Sequence, residues 1–300
     1  MTVIPQRPLG FGEILDGAIQ FYRRDFGLYF LIALVGALPG YAMMLALGTP
    51  GTGVNAAGNP DFGGVGFDSL LLILANAAAW IGTLAVAVAM RARLEDAPVS
   101  LESAYRGVIR PFPSAAGGYL LAMLLVGILG FVIMMLAMIL GIAGALSGSL
   151  ALTLGVLVPA SLAAILLIFT LWFSSTFAIL PAVLIEGRSA SASLRRSFQL
   201  ARGARLRVVG IMLVAFIIQN APSFGMFALS GGFDMFTSPD TVGTMGGGRL
   251  ALQNTIDLLI GALTAPFGVA TVFFLHHDRR VRLEASDLET TAAAMTTDGP

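Results

Sequence analysis

Asp257 is the one acid that falls inside a long apolar run. An ionisable group in lipid costs on the order of several kcal/mol unless it faces a cavity or a partner. Gln253 and Asn254 lie within about one helical turn of it, and Gln219 and Asn220 sit in the preceding apolar run. Together they predict a polar stripe. A carboxylate in such a stripe exchanges protons or meets a cation, which is the chemistry of a small transporter or proton relay. Packing competes with that account. Asp257 lies about two turns, roughly 10 Å, below the predicted outer boundary and can hydrate there. Asn and Gln are also ordinary interhelical hydrogen-bonding residues.

The arginines offer a second chemistry. Arg23, Arg24, Arg106, Arg110, Arg195, Arg196 and Arg202 lie beside the ends of the apolar runs. A guanidinium fork suits phosphate, and near a membrane surface each cation is worth about 1 kcal/mol toward anionic lipid. The same residues also serve as plain topology signals. Glu13, Asp16, Asp25, Glu95, Asp96 and Glu102 interleave with them. Paired carboxylates do acid–base work, but solvated helix faces have this composition anyway.

The residue inventory excludes other chemistries. The chain has no Cys, so disulfides, thiolate zinc sites and thiol nucleophiles are absent. Its two His are adjacent, His276 and His277, which is too few for a histidine metal centre. Gly246, Gly247 and Gly248 precede no Lys-Ser/Thr pair and follow no predicted strand, so they make no phosphate loop. Formal net charge is zero, with 17 bases, all of them Arg, against 17 acids. A nucleic-acid binder needs a basic excess. We therefore expect no catalytic residue, no cofactor and no metal. The expected partner is the lipid bilayer, its anionic lipids included. Nucleic acid is excluded, and no protein partner can be read.

The elements that position these residues follow from composition. Hydrophobic residues make up 57% of the 300, charged residues 11%, and mean hydropathy is +0.87. A soluble domain carries about 25% charge. Six long apolar runs predict transmembrane helices at about 26–48, 69–90, 117–140, 152–180, 207–230 and 251–276. Lipid offers the backbone no hydrogen-bond partner, and the runs lack barrel-strand alternation, so they are helices. The fold class is an all-α polytopic membrane bundle of six transmembrane helices with amphipathic interfacial helices. The first run begins near Phe26 after acidic residues, which argues against a signal peptide.

From Pro111 to Ile185 no residue is charged. One helix of that length would run roughly 110 Å, so the chain must turn back, best at Ser147, Gly148 and Ser149. With six spans, 16 of the 17 Arg fall on one side and only Arg249 on the other. The positive-inside rule then puts both termini in the cytoplasm. Segments 49–68 and 231–249 become Gly-rich outer loops. Residues 1–289 form one membrane domain, and 290–300 a disordered tail. Ala137, Gly141 and Ala145, and Gly261 with Ala265, form small faces for close helix contact. Pro159, Pro181, Pro222 and Pro266 are candidate kinks.

A period of about ninety residues runs through the chain. Phe11, Ile14, Leu15, Ala18, Ile19 and Tyr22 form the apolar face of an amphipathic helix. Leu101, Ala104, Tyr105, Val108, Ile109 and Phe112 repeat it, and Leu194 and Phe198 hold the face of a degraded third copy. Each copy precedes two spans, which predicts three units of interfacial helix plus transmembrane hairpin.

Three segments carry a family resemblance. They are RPLGFGEILD from Arg7 to Asp16, continuing to Tyr22-Arg-Arg24; LPAVLIEG from Leu180 to Gly187, with ASLRRS from Ala192 to Ser197; and DRRVRLE from Asp278 to Glu284, with Asp287 and Glu289. In this order, over about 7–289, they resemble bacterial integral membrane proteins of the glycerophosphoryl diester phosphodiesterase membrane domain family. The family pattern usually has aromatic residues where this chain has His276 and His277, which argues for a tolerant membrane-interface position there. Relatives fuse the membrane region to a catalytic barrel with His and paired carboxylates. This sequence carries no such set, so the resemblance implies a multipass plasma-membrane protein without the enzymatic half. The leading expectation is a non-enzymatic protein that organises or assists lipid or membrane-protein processes. The alternatives are a small transporter built on Asp257 and a membrane enzyme acting on phosphodiester lipids.

Overall fold

A computed structural model describes residues 7–47, 62–148, 155, 158–229 and 247–297. Among them the chain is helical and has no strand. The helices are α1 (Phe11–Arg24), α2 (Phe26–Leu47), α3 (Phe62–Leu94), α4 (Leu101–Arg106), α5 (Phe112–Ser147), α6 (Val158–Thr176), α7 (Ile179–Leu184), α8 (Ala190–Ala201), α9 (Arg205–Leu229) and α10 (Gly247–Thr297). Six are long and apolar enough to cross a membrane: α2, α3, α5, the α6–α7 pair, α9 and α10. The chain is a multi-pass membrane protein.

The order short helix, long helix, long helix occurs three times, beginning at α1, α4 and α8. Burial repeats with it. Ile14 and Ala18, Ala104 and Val108, and Ser193 and Ser197 are buried pairs at matching positions of the three copies, Val108 lying in the turns that continue α4. The third copy differs from the expectation in its residues. Its buried face runs through Ser193, Ser197, Leu200 and Ala201, while Leu194 and Phe198 are only half-buried. Serine on an inward face hides the pattern from any count of apolar residues.

Local chemistry explains the boundaries. α1 has Glu13 in its first turn and Arg23 and Arg24 in its last, matching the helix dipole. α4 opens on a capping box in which Ser100 accepts from the Ser103 amide at 3.1 Å and Ser103 Oγ accepts from the Ser100 amide at 2.9 Å. α4 is shorter than the predicted 101–110 and continues as turns to Phe112. α5 stops at the predicted turn, where Gly148 takes φ +62°. Pro39, Pro222 and Pro266 lie inside helices. Pro181 follows the break between α6 and α7, in the first turn of α7, where a missing N–H costs nothing; Pro159 is the second described residue of α6. Segments 49–61 and 231–246 of the predicted outer loops lie outside the described residues. Residues 62–68 and 247–249 are helical. α10 also runs on to Thr297, across most of the tail predicted to be disordered, because Ala292, Ala293 and Ala294 are strong helix formers.

The chain clusters into two compact units. The first contains Gly12–Phe112 and Val214–Thr271. Its tightest feature is the crossing of α2 and α3 at Gly36 and Gly82. A Cβ added to Gly82 would stand 2.7 Å from the Gly36 Cα. Tyr105 donates to the Ile32 carbonyl at 2.8 Å and so ties α4 to α2, while Tyr22 donates to the Leu263 carbonyl at 2.6 Å and ties α1 to α10. Burial pushes the Tyr22 pKa up to about 12, so the phenol remains a donor.

The second unit contains residues 7–11, Pro113–Leu213 and the helix from Val272 onward. Here the fourth span breaks between α6 and α7. Ser197 of α8 bridges the break, donating to the Ser174 carbonyl at 3.0 Å and accepting from the Ala178 amide at 3.2 Å. That satisfies backbone groups the break sets free. α5 contributes little to the core: between Phe112 and Ile142 the buried residues are Ala115, Gly118, Ala122 and Val126.

Candidate functional site

Asp257 lies in the first unit, on α10, half-buried. It lines two cavities. One, of about 220 Å³, is walled by small residues of α2, α3 and α10, among them Ala33, Ala37, Ala79, Gly261 and Ala265. Gly261 and Ala265, expected to be a helix-packing face, here form part of the wall. The other, about 330 Å³ and more open, is lined by Asn220, Ser223, Phe224, Phe227 and Asp257. Thr83 brings the remaining side-chain hydroxyl into the smaller cavity, and that hydroxyl donates to the Ala79 carbonyl of its own helix at 3.2 Å.

The predicted polar stripe is brought together only in part. Asn220 shares the larger cavity with Asp257, and its Nδ2 donates to the Phe216 carbonyl at 2.8 Å. Gln219 turns elsewhere. Its Nε2 donates to the Ala215 carbonyl at 3.2 Å, and its amide packs against Gly268, three turns along α10 from Asp257. Adjacent residues on a helix point about 100° apart, so Gln219 and Asn220 cannot both face one carboxylate. Asn254 is half-buried, one turn from Asp257. The Gln253 side chain lies outside the described residues. Between them, Thr255 meets the Tyr41 hydroxyl at 2.6 Å and joins α10 to α2.

The second unit holds a group of charges that sequence reasoning did not assign. Asp278, fully buried, accepts from Arg282 at 2.9 Å and from the Leu9 amide at 2.8 Å, and meets Arg207 at 3.3 Å. The Leu9 carbonyl accepts from Arg282 at 2.8 Å and from Arg207. Both backbone groups of one residue near the N-terminus are thereby held by the α10 and α9 side chains. Arg279 donates to the Leu200 and Arg202 carbonyls at 2.8 and 3.2 Å, capping the end of α8.

Glu186 follows α7 and accepts from Arg188 at 2.5 Å, Arg196 at 3.1 Å and His276 Nε2 at 3.1 Å. Burial alone would raise its pKa. The hydrogen bonds from His276, Arg188 and Arg196 outweigh burial and hold the carboxyl well below the usual range. A carboxylate only accepts, so Nε2 carries the imidazole proton in this contact. His276 is 2% exposed. It is therefore a specific partner rather than the tolerant interface position expected, because Glu186 supplies the acceptor that a buried imidazole requires.

The expected lipid contacts divide the same way. Arg196 is committed to Glu186 and, at 3.8 Å, to Glu284, and its side chain is 18% exposed, so it does not face headgroups. Arg106 pairs with Glu102 at 2.6 Å in full exposure, where such a pair contributes little. Arg23, Arg24, Arg110, Arg195 and Arg202 are exposed. Among the described residues, no group of three or more His, Cys, Asp and Glu could hold a metal ion.

The signal for the ionic group was present in part. LPAVLIEG, ASLRRS and DRRVRLE contain Glu186, Arg196, Asp278, Arg279 and Arg282. Nothing in their spacing says that an acid at one span end meets an arginine roughly ninety residues away. The family described as "Domain of unknown function (DUF7847)" matches residues 25–277. No curated protein and no solved structure matches the chain.

Proposed function

With the chain belonging to the DUF7847 family of unknown function, we propose that it is a non-enzymatic plasma-membrane protein that organises or assists lipid or membrane-protein processes. Both termini lie in the cytoplasm on this reading, because 16 of the 17 Arg fall on one side of six spans. The observation that carries it is how the charges are spent. Glu186, Asp278, Arg196, Arg207, Arg279 and Arg282 brace helix ends, and the buried imidazole is used the same way. None of them is left to attack a substrate. Arg23 and Arg110 in the first unit and Arg195 and Arg202 in the second stand exposed without an ion pair among the described residues. Guanidinium forks at the membrane surface suit phosphate headgroups. Lipids retained by the purified protein should be enriched in anionic species over the source membrane. Replacing these four arginines by Gln should remove the enrichment. Equal retention by both proteins would sink the lipid reading.

A second reading, a small transporter, is favoured by the two cavities that meet Asp257. It predicts a folded Asp257→Asn protein without activity, since a relay needs a group that changes charge. The structural reading predicts near-normal function for the same variant.

A further inference from the structure

We propose that the Asp257 pocket binds a small organic ammonium, a monocation with an apolar body of about one aromatic ring. This deepens the second reading by naming a ligand class. It rests on that reading for the site alone, not for movement.

Charge comes first. Asp257 has no hydrogen bond or ion pair among the described residues, although it is half-buried within a span. A carboxylate there favours a cation and repels an anion. Composition narrows the cation. Side-chain oxygens around the larger cavity come from Asp257, Asn220 and Ser223. That falls short of the six or more a divalent ion takes. The remaining lining of that cavity is Phe224 and Phe227. Aromatic faces beside a carboxylate recognise ammonium groups. Size narrows it again. At about 330 Å³ the cavity is at the small end of ligand pockets. The neighbouring chamber of about 220 Å³ exceeds the roughly 150 Å³ that takes a benzene ring. Apart from Asp257 and Thr83 its walls are apolar, and the Thr83 hydroxyl is already donated to backbone. Asp257 thus borders both a cavity lined by two phenylalanines and an apolar recess.

The probe is benzylammonium, tested on the full chain in lipid nanodiscs. A hydrophobic carbodiimide labels carboxyls in apolar surroundings, and peptide mass spectrometry reads the rate at Asp257. At ten times its dissociation constant, benzylammonium should slow that labelling about tenfold. Benzyl alcohol, which keeps the ring without the charge, and sodium chloride at equal ionic strength should not. Equal protection by benzyl alcohol would reduce the site to an apolar void. Equal protection by sodium would make it an alkali-ion site. No protection overturns the proposal. Saturation-transfer NMR supplies a measurement that needs no labelling. Benzylammonium contacts should be present in the wild type, retained in Asp257→Glu and lost in Asp257→Asn, and absence from the wild type again overturns the proposal. Flux in proteoliposomes separates the two ideas. Binding without flux removes the transporter and leaves the site, whereas flux of protons without binding leaves a relay and removes the ammonium.

Discussion

Asp278 shows how much one carboxylate can hold in this chain. It accepts from a backbone amide and from Arg282, and pairs with Arg207, while fully buried. Removing one partner of a buried ionic set leaves the others uncompensated, which costs about 3–5 kcal/mol. Asp278→Ala should therefore lower the melting temperature sharply and release the segment around Leu9 to proteolysis. Asp278→Asn, which keeps one acceptor, should be milder. An unchanged melting temperature in the alanine variant would contradict this account. Glu186 gives a pH signature. Its folded pKa lies below the ordinary 4.5, so its contribution is fully present above that value. It is lost as pH falls toward the folded pKa. Melting temperatures measured downward from pH 7 should drop faster below about pH 4.5 in the wild type than in Glu186→Gln. Parallel curves would show that the His276 and arginine contacts add nothing.

Among the helices, α2 and α3 pack most closely, and Gly36 and Gly82 are what allows it. The nearest atom that a side chain at either position would meet is the other glycine's Cα, which cannot rotate away. Gly36→Leu should separate the pair and destabilise the protein by about 1–3 kcal/mol. The check is thermal unfolding in detergent against Gly127→Leu, a glycine with open space around it. Equal loss in both variants would count against the crossing. The short helices make a separate prediction. α1 and α4 should lie along the membrane plane, since each buries one narrow face and exposes charge on the other. Spin labels placed around α1 should report alternating lipid and water contact, and a uniformly aqueous profile would refute it.

For the molecule as a whole, topology and chemistry are the testable properties. A reporter active only in the cytoplasm, fused to the C-terminus, should be active. Silence with intact expression would reverse the orientation or change the number of spans. Purified protein should not hydrolyse glycerophosphodiesters, because its one buried imidazole is held by Glu186 and no histidine outside the adjacent pair exists. Turnover abolished by replacing a single cytoplasmic carboxylate would defeat the non-enzymatic reading.

Class, number of spans, the turn at Gly148 and the three-fold order of elements were legible from residue types alone. They depend on local quantities: apolar length against bilayer thickness, and the positive φ that glycine accepts. Even the ninety-residue period was legible until Ser193 and Ser197 replaced apolar residues on the third buried face. Only tertiary structure decided who meets whom. Gln219 and Asn220 are neighbours in sequence yet part company, because helical rotation sends one toward Gly268 and the other to the cavity of Asp257. His276 and Glu186, and Leu9 and Asp278, are far apart in the chain and bonded in the fold. No periodicity encodes such pairs, because their partners are set by how helices pack, and packing depends on side-chain shape from several segments at once.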